Sequence, residues 1–485
     1  MTKVRTRFAP SPTGYMHIGN LRTALYEYLL AKQAGGDFIL RIEDTDQSRL
    51  VEGSVEVIYE TLKTVGLYYD EGPDKPGHYG PYVQSERLPM YKKYALELVE
   101  LGGAHVCFCD EHVIQAQKQA AESAGVPFKF VDPCHRLKAS DVTARMQSEA
   151  FVIRQTIKPG ASTIFHDEVY GDIEIERDIL DEQVLLKSDG FPTYNFANVV
   201  DDHTMNITHV VRGNEYLSST PKYNLLYDSF GWDKPVYIHV PQVMKDEHHK
   251  LSKRSGDASF QDLVAQGFLP EAILNYIALL GWAPEGTQEI FSLDELIQAF
   301  NVKRISKAPA IFDREKLKWM NGQYLRAMPL DQFHELAKAR IQAAVTRACD
   351  HREVSKILQQ RISILSEIEE MLDFIDVLPE YDVSMYFHPK MKTDRAIAIQ
   401  ALEASLSVYA SIQDWSRIDE VHERLAQLPT QLGLKNGQVY WPIRTAVTGK
   451  AFTPGGALEL PYILGQDESI KRTHIGLEKL RALPE

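Results

Sequence analysis

The sequence predicts an α/β protein with an all-α C-terminal region: a doubly wound parallel sheet, an inserted α+β module, then helix bundles. Three observations predict this. Strand-like and helical patterns alternate from Val4 to Val65 and again from Val184 to Val240; short β-like segments lie between them; helical spacing dominates from Pro270 onward. At 485 residues the chain is too long for one core, so roughly three to five domains are expected.

In the first unit, Val4, Thr6 and Phe8 alternate with Arg5 and Arg7 as in a strand, and Pro10, Ser11 and Gly14 make a tight loop. A helix then opens at His17-Ile18-Gly19 with Leu21, Leu25, Tyr28 and Leu29 on one face. Unpaired N–H groups and the helix dipole make such a junction a seat for phosphate. Gly35-Gly36 closes the helix, and Phe38 to Ile42 reads as a parallel strand ending at Glu43-Asp44-Thr45-Asp46. Both strand ends should therefore face one crevice. A second helix runs from about Ser54 to Val65, and Gly66 ends it.

From Leu88 a Tyr-rich helix, three clustered cysteines, a polar stretch from Gln115 to Glu122 and β-like segments at Phe151–Arg154 and Ile173–Glu176 read as an insertion. The sheet pattern resumes at Val184-Leu185-Leu186, turns at Ser188 to Pro192, and continues through a strand Ile207–Val211, a helix Thr220–Phe230 and a strand Val236–Val240. Beyond lies the K-L-S-K-R loop, Lys250 to Arg254. The stretches 272–280, 293–300, 333–345 and 354–377 are helical in pattern. The expected domains are 1–87 with 183–240 for the split sheet, 88–182 for the insertion, 241–325 for the loop region and 326–485 for the helical end.

The apolar content of 44% and charged content of 25% are those of a globular protein. No segment reads as a membrane span or a signal peptide, so the expected location is the cytoplasm. Four cysteines suit a reducing compartment. The net charge of −14 argues weakly against a polyanion partner. Lys303, Arg304, Lys307, Arg314, Lys316, Lys318 and Arg326 form a local basic island, which is either a solvated face or a nucleic-acid contact.

The glycine fingerprint of a dinucleotide-binding Rossmann enzyme is missing from the first turn. What stands there is H-I-G-N (His17 to Asn20) at a strand-to-helix junction, with K-L-S-K-R beyond the last strand. This arrangement resembles the class I aminoacyl-tRNA synthetases and their Rossmann-like catalytic domain. R-F-A-P-S-P-T-G from Arg7, R-I-E-D-T-D from Arg41, D-E-G-P from Asp70, Q-S-E-R from Gln84, L-L-K-S-D-G-F-P-T-Y from Leu185, A-N-V-V-D-D from Ala197 and W-M-N-G from Trp319 resemble the bacterial glutamyl branch. Asn20 stands where many class I enzymes have His, and Leu251 and Arg254 stand where the general class I loop has Met and Ser, substitutions of a kind familiar in the glutamyl group.

The resemblance implies ATP-dependent activation of L-glutamate, with Mg²⁺ attending the ATP, and transfer to the terminal ribose of tRNA(Glu), or also of tRNA(Gln). It implies His17, Lys250 and Lys253 as catalytic residues, and Gly19, Asn20, Glu215, Ser252 and Arg254 with them around ATP. It implies Arg7, Ser11, Glu43, Tyr194, Asn198 and Arg212 around glutamate, where guanidinium forks match carboxylates and Glu43 takes the ammonium. The other reading of Arg7 and Glu43 is a plain ion pair between neighbouring strands. Contacts to tRNA are expected from Asp44, Arg361 and Arg444, against the reading of surface charges. Cys107, Cys109, Cys134 and His135 have the residue types of a structural zinc site, although the family places the histidine one residue later; the alternative is three packed or unpaired thiols. The resemblance favours a monomer. The rival functions are a short tRNA-modifying relative, an inactive synthetase-like RNA-binding protein and a generic dehydrogenase.

Overall fold

The computed structural model describes residues 3–160, 162–251 and 259–484. By packing, the chain falls into two units: residues 1–264 with 270–313, and residues 265–269 with 314–485. The second unit begins at the helix Arg314–Ala327, so the boundary expected at 325 falls inside that helix.

In the first unit, strand β1 (Arg5–Phe8) leads through a Pro-rich loop into helix α1 (Ile18–Gln33) and returns as β2 (Asp37–Leu40), parallel to β1 with Arg5 opposite Asp37. The His17 side chain caps α1 by accepting the Gly19 N–H at 3.0 Å. Ile18, Leu21, Leu25 and Leu29 are fully buried, each contributing roughly 1.5–3 kcal/mol of apolar transfer. The chain reverses after α1 at Gly35, whose φ of 62° suits a residue without Cβ. Helix α2 (Ser54–Thr64) follows, then α3 (Leu88–Glu100).

The insertion contributes β3 (Ala104–Cys107), α4 (Glu111–Ala124), α5 (Ala139–Met146) and β4 (Val152–Gln155). Strands β5 (Thr163–Asp167), β6 (Gly171–Ile175) and β7 (Val184–Leu186) come next. Strands β3, β4 and β7 make an antiparallel sheet. The polar stretch around Gln115 is thus a helix, capped by Asp110 and by Gly125 in the left-handed region, and none of its residues is buried.

Helix α6 (Tyr194–Thr204), β8 (His209–Gly213), α7 (Thr220–Phe230) and β9 (Val236–Val240) rebuild the parallel layer. Strands β8, β9 and β5 run parallel, and β6 adds an antiparallel edge. A backbone bond from Thr208 N–H to Arg5 O lays β8 beside β1. The strand expected at Ile207 starts two residues later, because Asn206 takes a left-handed turn with φ 52°. The insertion does not stand apart: Tyr91 and Leu98 of α3 and Ile153 of β4 share a core with Phe196 of α6 and Tyr223 of α7.

The second unit is helical around a core that includes Tyr386, Leu402, Tyr409, Leu425, Ile443 and Leu480. The helical stretch expected over 354–377 breaks into His351–Gln359 and Ile368–Leu372. Between them, Ser363 N–H and Ile364 N–H turn to the Glu367 carboxylate, which closes the start of the short helical turn Leu365–Glu367.

Candidate active site

The carboxyl ends of β1, β2, β8 and β9 open on a cavity of about 530 Å³. Its lining includes Arg7, Ser11, Glu43, Tyr194 and Arg212 on one side, and His17, Gly19, Asn20, Glu215 and Lys250 on the other. Expected residues that lie far apart in the chain therefore meet in one place. Ser252, Lys253 and Arg254 lie outside the described residues.

Arg212, at the end of β8, is buried, and its Nε and Nη1 have no hydrogen-bond partner. Its Nη2 reaches Asn198 Oδ1 at 3.5 Å, and its guanidinium lies over the rings of Tyr216 and Tyr223. Asn198 is held by donating to Tyr194 O at 2.8 Å. A buried guanidinium with two donors left over, facing a cavity, is built to take an anion.

Arg7 does not pair with Glu43. Its Nε donates to Asp202 at 2.9 Å and its Nη1 to Glu27 at 2.9 Å, while Glu43 accepts from Arg41 at 3.1 Å. Arg41 also donates to Asp202 at 2.8 Å. Burial would push the Asp202 carboxyl up, but the Arg7 and Arg41 guanidinia outweigh it and hold it below the ordinary range. Burial raises the Glu43 carboxyl despite Arg41 and Arg7. Glu27, Arg41 and Asp202 are members of this site to which the sequence reading gave no role. The available signal was Glu27 lying among apolar residues of α1, where a charge is rare unless paired.

At the other side, His17 Nδ1 accepts from Gly19 N–H, so the proton sits on Nε2, which lies 3.3 Å from Leu251 O. One imidazole thus ties the start of α1 to the K-L-S-K-R loop, whose Lys250 side chain is exposed. A Cβ at Gly213 would push the Glu215 carboxylate aside from its present place in the lining. Asn20, the departure from the motif, donates its backbone N–H to His17 O within the first turn and faces the cavity. The strand-to-helix junction expected to seat phosphate thus lies in the lining of the cavity, through His17, Gly19 and Asn20.

Asp44 does not line the cavity; its carboxylate takes the N–H and hydroxyl of Ser85 at 2.8 and 2.6 Å. Arg361 and Arg444 meet in the second unit, lining a cavity of about 430 Å³. The Arg444 guanidinium lies over the Trp441 ring, and burial together with the Arg361 charge lowers its pKa.

The three insertion cysteines converge, with Cys109 Sγ 3.7 Å from Cys134 Sγ. The fourth group of the cluster is Asp132, not His135. Both flank Cys134 in the turn around Pro133–Arg136, but Asp132 Oδ1 folds back to within 3.5 Å of Cys109 Sγ, whereas His135 Nε2 turns to Glu182 at 2.8 Å. Backbone N–H groups of Phe108 and Cys109 donate to the sulfurs of Cys134 and Cys107. Burial pushes the Cys107 thiol up to about 11, so a cation is what would hold this group as thiolate. Cys349 lies outside the cluster.

Comparison with known proteins matches residues 3–319 to "tRNA synthetases class I (E and Q), catalytic domain" and residues 326–477 to "Anticodon binding domain". The chain belongs to this class I synthetase family. Glutamate–tRNA ligases of Clostridium botulinum and Clostridium tetani are 56% and 55% identical to the synthetase over 482 and 480 residues, covering 99% of this chain in each case and 99% and 98% of the relative. A glutamate tRNA ligase from Elizabethkingia meningosepticum, solved in complex with its amino acid, superposes with a TM-score of 0.86 at 34% identity over 99% of this chain and 100% of its own. The glutamate-tRNA synthetase of Elizabethkingia anophelis gives 0.87 at 34% identity, over 98% and 100%. The Rossmann-like sheet and helical C-terminal region expected from the sequence are those of this family.

Proposed function

We propose that the synthetase activates L-glutamate with ATP and transfers it to the terminal ribose of tRNA(Glu). The observation that carries this reading is Arg212, a buried guanidinium with unused donors in a cavity that also contains Arg7 and Glu43. Glutamate offers two carboxylates and one ammonium group, the complement of two guanidinia and a carboxylate. Its reacting α-carboxylate lies toward His17 and Lys250, which supply hydrogen bonding and positive charge to the phosphates. Lys253, with Ser252 and Arg254, acts from the same loop. Neither step needs a covalent enzyme intermediate; positioning and charge stabilisation carry both. Mg²⁺, arriving with ATP, supplies neutralisation of phosphate charge.

The cysteine cluster suits a structural zinc held by Cys107, Cys109, Cys134 and Asp132, which would cross-link the insertion. Residues 88–182 serve as the acceptor-binding module, 241–325 as the stem-contact region and 326–485 as the anticodon region, where Arg361 and Arg444 reach bases of the tRNA and Trp441 backs Arg444. The enzyme acts as a cytoplasmic monomer; no helix among the described residues is long and apolar enough to cross a membrane. ATP-dependent charging of purified tRNA(Glu) and tRNA(Gln) with labelled glutamate tests the reading. Charging of tRNA(Glu) supports it, charging of both extends it to a non-discriminating enzyme, and charging of neither with Mg²⁺ present refutes it.

A further inference from the structure

Glu27, like Arg212, is a buried charged group of the cavity whose hydrogen-bonding capacity the other residues leave unfilled. It is 1% exposed at mid-helix in α1; one carboxyl oxygen takes the Arg7 bond, and the other, Oε2, is buried with no hydrogen-bond partner. Glu27 nevertheless lines the cavity together with Arg7 and Arg212. An unpaired carboxylate oxygen in such a place is unfavourable unless it carries a proton or meets a donor.

The charge balance points the same way. The pair Arg87 with Asp201 is neutral by itself. The other buried charges that act on Glu27 and on one another are the guanidinia of Arg7, Arg41 and Arg212 and the carboxyls of Glu43 and Asp202, and with Glu27 this set balances when all are ionised; Arg22, also buried in the lining, donates to the carbonyls of Leu280 and Pro241 and has Glu215 as its acidic neighbour. Glutamate brings one net negative charge into this set, whereas glutamine brings none. The α-carboxylate has to reach the open side, where exposed Lys250 and half-buried His17 lie. The end of the substrate that comes deepest, against Arg7 and Glu27, is therefore the side-chain carboxylate.

We propose that Glu27 is a specificity residue of the amino-acid pocket: it takes up one proton from solvent as glutamate binds, and Oε2–H then donates to the substrate's side-chain carboxylate beside Arg7. The proton returns to solvent when the substrate leaves. Ionised Glu27 instead offers an acceptor to the amide N–H of glutamine, so discrimination weakens as pH rises. This inference rests on the reading of the cavity as a glutamate pocket.

The charged groups facing Glu27 are Arg7 from β1, Arg41 from β2 and Asp202 from α6, with Arg212 on the cavity wall from β8. The helices Pro270–Ala278 and Leu293–Ala299 pack on α1 as well, and reach it through Tyr26, whose hydroxyl bonds Ala278 O, and Gln33, which bonds Ile297 O. Asp294 acts on Tyr28. Burial pushes the Glu27 carboxyl well above the ordinary range, with Arg7 and Arg41 opposing and Asp202 adding to the rise.

The test measures glutamate KM and kcat for tRNA(Glu) charging from about pH 6 to about pH 9 in the full-length enzyme and in E27Q. The amide of E27Q keeps an acceptor for Arg7 and a donor toward the substrate. In the wild type, KM should rise about tenfold per pH unit above the ionisation of Glu27, without a matching step in kcat, and E27Q should show no such rise. A flat wild-type KM, parallel profiles in both proteins, or an E27Q KM more than about tenfold above wild type at pH 6 overturns the inference. Should E27Q fail to fold, titration calorimetry of the wild type with L-glutamate in two buffers of different ionisation enthalpy decides: uptake of close to one proton supports it, and none overturns it. Failure to charge tRNA with glutamate at every pH would instead remove the ligase reading on which it rests.

Discussion

Replacing Asp132 by Ala should remove zinc from the insertion, whereas replacing His135 by Ala should leave it. Zn–S bonds of about 2.3 Å in a tetrahedron place two sulfurs about 3.8 Å apart, and a carboxylate oxygen at about 2.0 Å lies about 3.5 Å from a sulfur. The structure has 3.7 Å between Cys109 Sγ and Cys134 Sγ, and 3.5 Å between Cys109 Sγ and Asp132 Oδ1. The spacing is thus that of ligands around one small cation. His135, bonded to Glu182 and lying against His105 with ring centroids 3.7 Å apart, belongs to another group. Structural zinc sites bind with an apparent free energy of roughly 10–16 kcal/mol, so one ligand in four is worth about 2.5–4 kcal/mol, or about a hundred- to a thousandfold in affinity. Metal analysis of dialysed protein, followed by competition with a chromophoric chelator, reads that difference. Zinc retained in D132A and lost in H135A, or no zinc in the wild type, would refute the assignment.

Substituting Arg212→Lys keeps the charge but removes the fork, so the loss of charge-assisted bonds, about 1.5–3 kcal/mol, should raise glutamate KM about 10- to 100-fold with a much smaller change in ATP KM. Asp201 is fully buried and accepts from Arg87, Gln84 and Tyr91; D201N strands the Arg87 charge and should cost about 3–5 kcal/mol in urea unfolding, with an unchanged midpoint counting against the network. Asp202 lies below the ordinary carboxylate range in the fold, so its stabilisation is complete above about pH 4 and lost as pH falls through its lower folded value. D202N should therefore lose stability less steeply than wild type between about pH 5 and about pH 2, followed by circular dichroism. In the second unit, a Cβ at Gly476 would overlap the Tyr386 hydroxyl and press on Ala446; G476A should lower stability by about 1–3 kcal/mol, read from its thermal midpoint.

Helix α1 and strands β1, β8 and β9 were legible because their apolar spacing and caps agree with what the fold does with them. Helices α4 and α5 bury no residue, so the periodic signal was absent; only the caps Asp110 and Gly125 marked α4, and they were not enough against its polarity. The site was legible in its motif residues and illegible in its pairing. Which carboxylate meets Arg7 depends on how α1 and α6 cross the sheet, and residues 27 and 202 carry no local mark of that meeting. Asp132 was hidden for a similar reason: two side chains flanking one cysteine in a tight turn diverge, and residue type alone favours the imidazole.

Asp201 and Asp202 are neighbours on α6 that face different tasks. The first anchors Arg87 and Tyr91, where the insertion takes root, and the second clamps Arg7 and Arg41 at the edge of the cavity. A tug on α3 that displaces Tyr91 acts on a carboxylate one peptide bond away from the one that aims Arg7. The arm that would hold the acceptor end of tRNA and the residue that would hold the amino acid thus share a single mechanical joint.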